Sequence, residues 1–118
     1  MTEKKGETDL PIFVRWQEFL QWLLPVLDRF PKKARFTFTN RLINLGLEVT
    51  EDLVEARYSR HKLEILRRCN LRLEKMRVLL RLCHALKFLS NGAFAHAVKS
   101  LNGVGKMLGG WYRQQGGS

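Results

Sequence analysis

Apolar residues recur every three or four positions along most of the chain, a period that fits one face of an α-helix. The first such segment carries apolar side chains at Phe13, Trp16, Leu20, Leu23, Leu27 and Phe30. Asp9 is its expected N-cap, Pro11 is tolerated in the first turn, and Pro25 predicts a kink or a local break. Pro31 favours a boundary within residues 29–33.

Three further segments repeat the pattern. A second helix is predicted for residues 35–57, with an apolar face at Phe38, Leu42, Leu45, Val49, Leu53 and Ala56. After a turn near residues 58–60, a third helix is predicted to run to about Leu89, with a core stripe at Leu66, Cys69, Leu73, Met76, Leu80 and Cys83. Residues 90–92 (Ser-Asn-Gly) predict a turn before a fourth helix with Phe94, Val98, Leu101, Val104, Leu108 and Trp111 on one face.

Four amphipathic helices joined by short connections predict an all-α, antiparallel, up-and-down four-helix bundle. We expect a single domain over residues 1–118, with frayed ends at 1–8 and 114–118. A chain of 118 residues can bury a core without disulfides. Cys69 and Cys83 are expected to be reduced, because a rise of about 1.5 Å per residue separates them by about 21 Å on one helix.

The sequence also bears on where the chain works. No apolar run approaches the roughly 20 residues needed to cross a bilayer, and the first residues lack the apolar stretch of a signal peptide. We therefore expect a cytoplasmic protein without a membrane partner. Peripheral binding to lipid by a basic helix is a weaker alternative, since the apolar stripe of that helix is committed to the core.

Positive charge is concentrated in the third helix. The chain has a formal net charge of +10, and residues 57–87 hold ten Lys or Arg against only Glu64 and Glu74. On a helical projection, the cations that lie away from the core stripe are Arg60, Arg67, Arg68, Arg72, Lys75 and Arg81. Arginine suits bidentate phosphate contacts, and a solvated face usually mixes both signs, so this face predicts binding to a polyanion. The alternative is an ordinary solvated helix face.

The same outer face carries a second apolar line, at Leu71, Val78, Leu82 and Leu89. One four-helix monomer cannot easily bury both this line and the core stripe. We expect a neighbouring protomer to cover the line in a homo-oligomer, which would gather the arginines of several subunits on a shared surface. Scattered surface leucines are the simpler alternative.

Four glycines interrupt the fourth helix, at Gly103, Gly105, Gly109 and Gly110. Gly105 and Gly109 share a face, which predicts the close approach of a neighbouring helix backbone. A nucleotide-binding loop is disfavoured, because Lys106 is not followed by Ser or Thr and no strand precedes the segment.

No catalytic pattern is apparent. His61, His84 and His96 have no metal-ligand spacing, no carboxylate pair lies near a histidine, and no serine has the context of a nucleophile. We expect a protein that is not an enzyme, with no metal, no cofactor and no small-molecule substrate.

Two stretches resemble a known family. The segment at residues 70–82, Asn-Leu-Arg-Leu-Glu-Lys-Met-Arg-Val-Leu-Leu-Arg-Leu, and the segment at 105–111, Gly-Lys-Met-Leu-Gly-Gly-Trp, are similar to the Avd accessory variability proteins of diversity-generating retroelements. The turn at residues 30–33, Phe-Pro-Lys-Lys, also resembles the wider four-helix group of ribosomal-RNA intervening-sequence proteins. The resemblance covers residues 16–113.

The resemblance implies a barrel-like homopentamer that binds the reverse transcriptase and the template RNA of the element, and so supports mutagenic cDNA synthesis. Basic residues on the barrel surface serve these contacts in the family, and the matching positions here are Arg72, Lys75, Arg77 and Arg81. The bound nucleic acid is expected to be RNA, with DNA as a second possibility. The alternative is an intervening-sequence type of four-helix protein with a structural or interaction role.

Overall fold

Helices account for most of the backbone that the structure describes. A computed structural model describes the backbone of residues 3–117 and the side chains of residues 11–117. Within this part of the chain there are four long α-helices and no strand: α1 (Glu3–Asp28), α2 (Asn40–Tyr58), α3 (Lys62–Ala85) and α4 (Asn91–Gln114). A short 3-10 helix (Lys32–Ala34) and one π-helical turn (Arg35–Thr39) lead into α2. The all-α, four-helix prediction is confirmed.

The helices close into a ring in which α1 packs on α2 and α4, and α3 packs on α2 and α4. All six residues of the predicted α3 stripe are at most 1% exposed, and they meet buried side chains of the other three helices. Trp16 links α1 to α2, because its indole Nε1 donates to Thr50 Oγ1 at 3.0 Å and to the Gly46 carbonyl at 3.3 Å. A Cβ at Gly46 would lie 2.8 Å from Leu20 Cδ2, so this glycine allows α1 and α2 to approach closely.

The start of α1 was predicted wrongly. The helix begins at Glu3 and runs through Asp9, Pro11 and Pro25 without interruption, so Asp9 is not an N-cap and Pro25 does not break the helix. Lys and Glu residues before Asp9 favour helix, which lets α1 extend beyond the predicted cap. Of the ends predicted to fray, residues 1–2 and Ser118 lie outside the described residues.

The end of α3 also differs from the prediction, by four residues. The helix ends at Ala85, where the Phe88 amide donates to the Cys83 carbonyl and the Lys87 amide to the His84 carbonyl, as in a Schellman motif. Lys87 takes the left-handed position, with φ of 67°, that glycine usually occupies. This turn directs Phe88 against Phe30 and Phe38, and the chain continues into α4 behind the Ser90 N-cap.

Candidate nucleic-acid interface

The predicted cations do not form one uniform face, because α3 contacts α2 on one side and α4 on the other. Arg68 and Arg72 turn towards α2, and Lys75 lines the groove between α2 and α3. Arg67 and Arg77 turn towards α4, where they contact Tyr112 and Asn102. The exposed apolar residues of α3 separate these two groups, so each has a different electrostatic environment.

On the α2 side, buried Asp52 binds two arginines. Its carboxylate is 2% exposed and accepts hydrogen bonds from Arg68 (Nε at 3.0 Å, Nη2 at 2.7 Å) and from Arg72 Nη1 at 2.6 and 2.7 Å. Glu55 adds a contact to Arg68 at 2.8 Å, and Glu48 one to Arg72 at 3.3 Å. The pKa of Arg68 is raised, mainly by its hydrogen bonds to Asp52 and Glu55.

Because of this cluster, the α3 cations have more acidic partners than the sequence of α3 alone predicts. Few acids exist within α3 itself, but Glu48, Asp52 and Glu55 of α2 supply carboxylates across the helix interface. Much of the charge of Arg68 and Arg72 is therefore compensated within the protomer. A phosphate that bound them would compete with these carboxylates.

On the α4 side, Arg67 and Arg77 make most of their contacts with neutral groups. Arg67 Nη2 donates to the Tyr112 hydroxyl at 2.9 Å, and this hydrogen bond raises the pKa of the exposed guanidinium. Arg77 Nε donates to Asn102 Oδ1 at 3.1 Å, and its guanidinium also pairs with Glu74. Arg67 therefore keeps its full charge at the surface, whereas the charge of Arg77 is shared with one exposed carboxylate.

The remaining predicted cations are exposed. Arg60 lies in the turn between α2 and α3, and Lys75 and Arg81 lie on α3. None of the three forms an ion pair with any described side chain. They are available to an external anion without the loss of an internal contact.

The outer apolar line is present over three of its four predicted positions. Leu71, Val78 and Leu82 are 46–55% exposed. Leu89 is 3% exposed and packs in the monomer core, so its assignment to the outer line is wrong. The cause is the end of α3 at Ala85: beyond it the chain turns at Lys87, and Leu89 no longer follows the helical spacing.

Beside this line lies a groove that the sequence pattern did not reveal. It has a volume of about 700 Å³ between α2 and α3, and Leu71, Val78 and the π-helical turn contribute to its lining. Phe36 of that turn is 84% exposed, although phenylalanine is among the residues most often buried. A helical projection places Phe36 on the side opposite Phe38 and Leu42, and this is the sequence signal that indicates its exposure.

The α4 glycines do not serve helix packing within the protomer. A Cβ at Gly105 would meet only the end of Arg77, and one at Gly109 only the end of Arg113. Nothing lies within 4 Å of a Cβ at Gly110. The prediction that a neighbouring backbone packs on Gly105 and Gly109 is wrong for the monomer. Each glycine still costs the helix up to about 1 kcal/mol relative to alanine.

Chemically reactive side chains are few in the described part of the chain. Burial raises the pKa of the Cys69 thiol to about 12 and that of Cys83 to about 11, and both cysteines are free, as predicted. His84 Nε2 lies 2.6 Å from Asn91 Oδ1, and His96 packs against Trp22. Residues 11–117 contain no group of three or more metal-ligating side chains. No described helix is long and apolar enough to span a membrane.

Comparison with known proteins identifies a family. Neither the curated proteins nor the solved structures returned a relative. The model of one protein family, described as bAvd-like, matches residues 11–115, which include all of α2, α3 and α4 and most of α1. Since this match spans nearly the whole chain, the protein belongs to the bAvd-like family of accessory variability proteins.

Proposed function

We propose that this chain binds the reverse transcriptase of a diversity-generating retroelement together with the element's template RNA or its cDNA. The observation that carries the proposal is the family match over residues 11–115. The family is one of accessory proteins and is not a known enzyme family. On this proposal the chain supplies binding surfaces in the cytoplasm, and the polymerase supplies the chemistry.

The charge of the bundle supports the nucleic-acid part of the proposal. Arg60, Arg67, Lys75 and Arg81 are exposed and form no ion pair with a described carboxylate. Such cations attract phosphates and release counterions when they bind. Arg68 and Arg72 contribute less, because α2 carboxylates already hold them.

The apolar surface supports a homo-oligomer, which we propose to be a pentamer. Leu71, Val78 and Leu82 form a line of half-exposed side chains, and Phe36 stands beside the adjoining groove. A protomer that covered this surface would remove it from water, which favours association. In a closed ring, the α3 cations of all subunits would be brought near one another.

Co-purification tests the polymerase contact. The chain and a tagged reverse transcriptase from the same retroelement are expressed together, and the tagged protein is captured after nuclease treatment. We expect the chain to be retained at 150 mM salt, because direct contacts between the two proteins do not need an RNA bridge. At this salt concentration the Debye length is about 8 Å, so longer-range attraction between exposed charges is screened. Loss of the chain only after nuclease treatment would contradict direct binding and would show that RNA bridges the two proteins. No retention even without nuclease would favour a role of the intervening-sequence type.

A further inference from the structure

The outer surface of α4 carries a regular alternation of cations and glycines. Its members are four and three residues apart in turn, so they share one face of the helix and form what we call the α4 stripe: Lys99, Gly103, Lys106, Gly110 and Arg113. The three cations are exposed. None of them forms an ion pair with a described side chain.

Among the side chains that the structure describes, few acidic ones lie near the stripe. Glu74 is the last acidic residue of the chain, and residues 75–118 hold seven Lys or Arg and no Asp or Glu. Beside the stripe, an open groove of about 880 Å³ runs along α4, with Arg15 of α1 at its edge. Its described lining contains the cations Arg15, Lys99 and Lys106 and no carboxylate. Phe94, Ala95 and Val98 add apolar surface to it. Glu18 lies at a smaller neighbouring groove.

The two glycines of the stripe are not required by the fold. A Cβ at Gly103 would lie 3.9 Å from Arg15 Nη1, an ordinary contact, and one at Gly110 would meet nothing within 4 Å. Alanine would therefore fit at both positions and would favour the helix. What the glycines provide is open backbone between successive cations, so that an external molecule can approach α4 closely.

We propose that the α4 stripe and the groove beside it bind the sugar-phosphate backbone of a nucleic acid. The inference rests on the proposed function and names the surface that performs its nucleic-acid part. The cations Lys99, Lys106 and Arg113 contact phosphates along about 21 Å of helix. Gly103 and Gly110 leave room for the strand between them.

A second copy of the chain fits this surface less well. A neighbouring protomer carries the same net charge of +10, which repels the unpaired cations of the stripe. No large apolar side chain of α4 is exposed, although half-buried Phe94 and Val98 contribute to the groove. By contrast, the α2–α3 side has exposed apolar residues and internally paired arginines, so the two sides of the bundle suit different partners.

A binding titration with a labelled, unstructured single-stranded RNA of about 30 nucleotides tests the proposal at several salt concentrations. The test variant is Lys99→Gln/Lys106→Gln/Arg113→Gln in the full chain. Its matched control, Arg29→Gln/Lys32→Gln/Arg35→Gln, removes the same formal charge from exposed positions in and near the α1–α2 connection. Circular dichroism and light scattering check that both variants keep the helical content and the assembly of the original chain.

We expect the stripe variant to bind RNA about tenfold more weakly at low salt. The slope of log K against log salt should also become shallower by about 2, because each of three lost phosphate contacts contributes about 0.7. The control should keep most of the slope. Equal losses in the two variants would overturn the proposal, because binding would then follow net charge alone. If the stripe variant kept RNA binding but lost the reverse transcriptase, the stripe would be a protein-docking surface and the proposal would be wrong.

A second variant tests the glycines without a change in charge. Gly103→Gln/Gly110→Gln should raise the melting temperature, because glutamine favours helix, and should still weaken RNA binding, because its side chains occupy the space between the cations. Unchanged RNA affinity in this variant would contradict the proposal that the strand passes close to Gly103 and Gly110. If the original chain itself bound no RNA at any salt concentration, the proposed function would fail in its nucleic-acid part, a result distinct from failure of the stripe alone.

Discussion

Asp52 joins two helices through a single buried carboxylate. It is 2% exposed, and Arg68 and Arg72 of α3 both donate to it from one turn apart. A buried carboxylate is costly unless it is paired and hydrogen-bonded, and here both arginines meet that need. The cluster therefore joins α2 to α3, and it compensates part of the charge of both arginines within the protomer.

Asp52→Asn should lower the free energy of unfolding by about 2 kcal/mol, the scale of hydrogen bonds to charged groups. The loss stays moderate because Arg68 and Arg72 keep access to water. Urea denaturation at pH 7 measures it, with Glu51→Gln as the control at the neighbouring exposed position. If both variants unfolded at the same urea concentration, Asp52 would not contribute to stability through these contacts.

The sequence shows that α3 has an excess of positive charge, but it does not show which carboxylates pair with the α3 arginines. The partners of Arg68 and Arg72 lie 13–24 positions earlier, and their contact depends on how α2 is rotated about its axis. The spacing of apolar residues shows which face of a helix is buried, but it fixes the rotation of the helix about its axis only approximately. It therefore cannot decide which flanking side chains meet across an interface.

At the scale of whole elements, the core stripe of α3 was predicted correctly and its end was not. Spacing alone identifies Leu66 through Cys83, because every turn of a helix repeats the same geometry. The end depends on a local turn, and Lys87 rather than glycine adopts its left-handed conformation. No glycine marks this turn in the sequence, so the helical spacing of α3 wrongly predicts that Leu89 lies on the outer surface and not in the core.

Leu82 and Leu89 give a direct test of this distinction. Leu82→Glu should dissociate the proposed oligomer to its 13.8 kDa protomer and leave the helical content intact, because Leu82 is 46% exposed in the protomer. Leu89→Ala should lower the free energy of unfolding by about 2–5 kcal/mol, because it opens a cavity in the core. Light scattering and denaturation measure the two effects.

The original chain should scatter light as a species several times heavier than the protomer, and a pentamer corresponds to five times 13.8 kDa. A protomer mass for the original chain at micromolar concentration would contradict the oligomer. Unfolding of the Leu82→Glu variant would place Leu82 in the protomer core instead.

For the molecule as a whole, the two sides of the bundle differ in electrostatics. Carboxylates of α2 offset arginines on one side, whereas α4 and the end of α3 carry only positive charge. Sequence resemblance and the family match agree on the accessory variability proteins. Neither identifies a surface for each partner, since that depends on which residues lie side by side in the folded chain.

On the proposed function, this chain assists a reverse transcriptase in copying a template RNA. The most direct measurement is cDNA synthesis by the purified reverse transcriptase of the same retroelement on its template RNA, with and without this protein. We predict that full-length cDNA depends on the protein and falls when Lys99, Lys106 and Arg113 are replaced by glutamine. The same yield and length of cDNA in its absence would contradict the account.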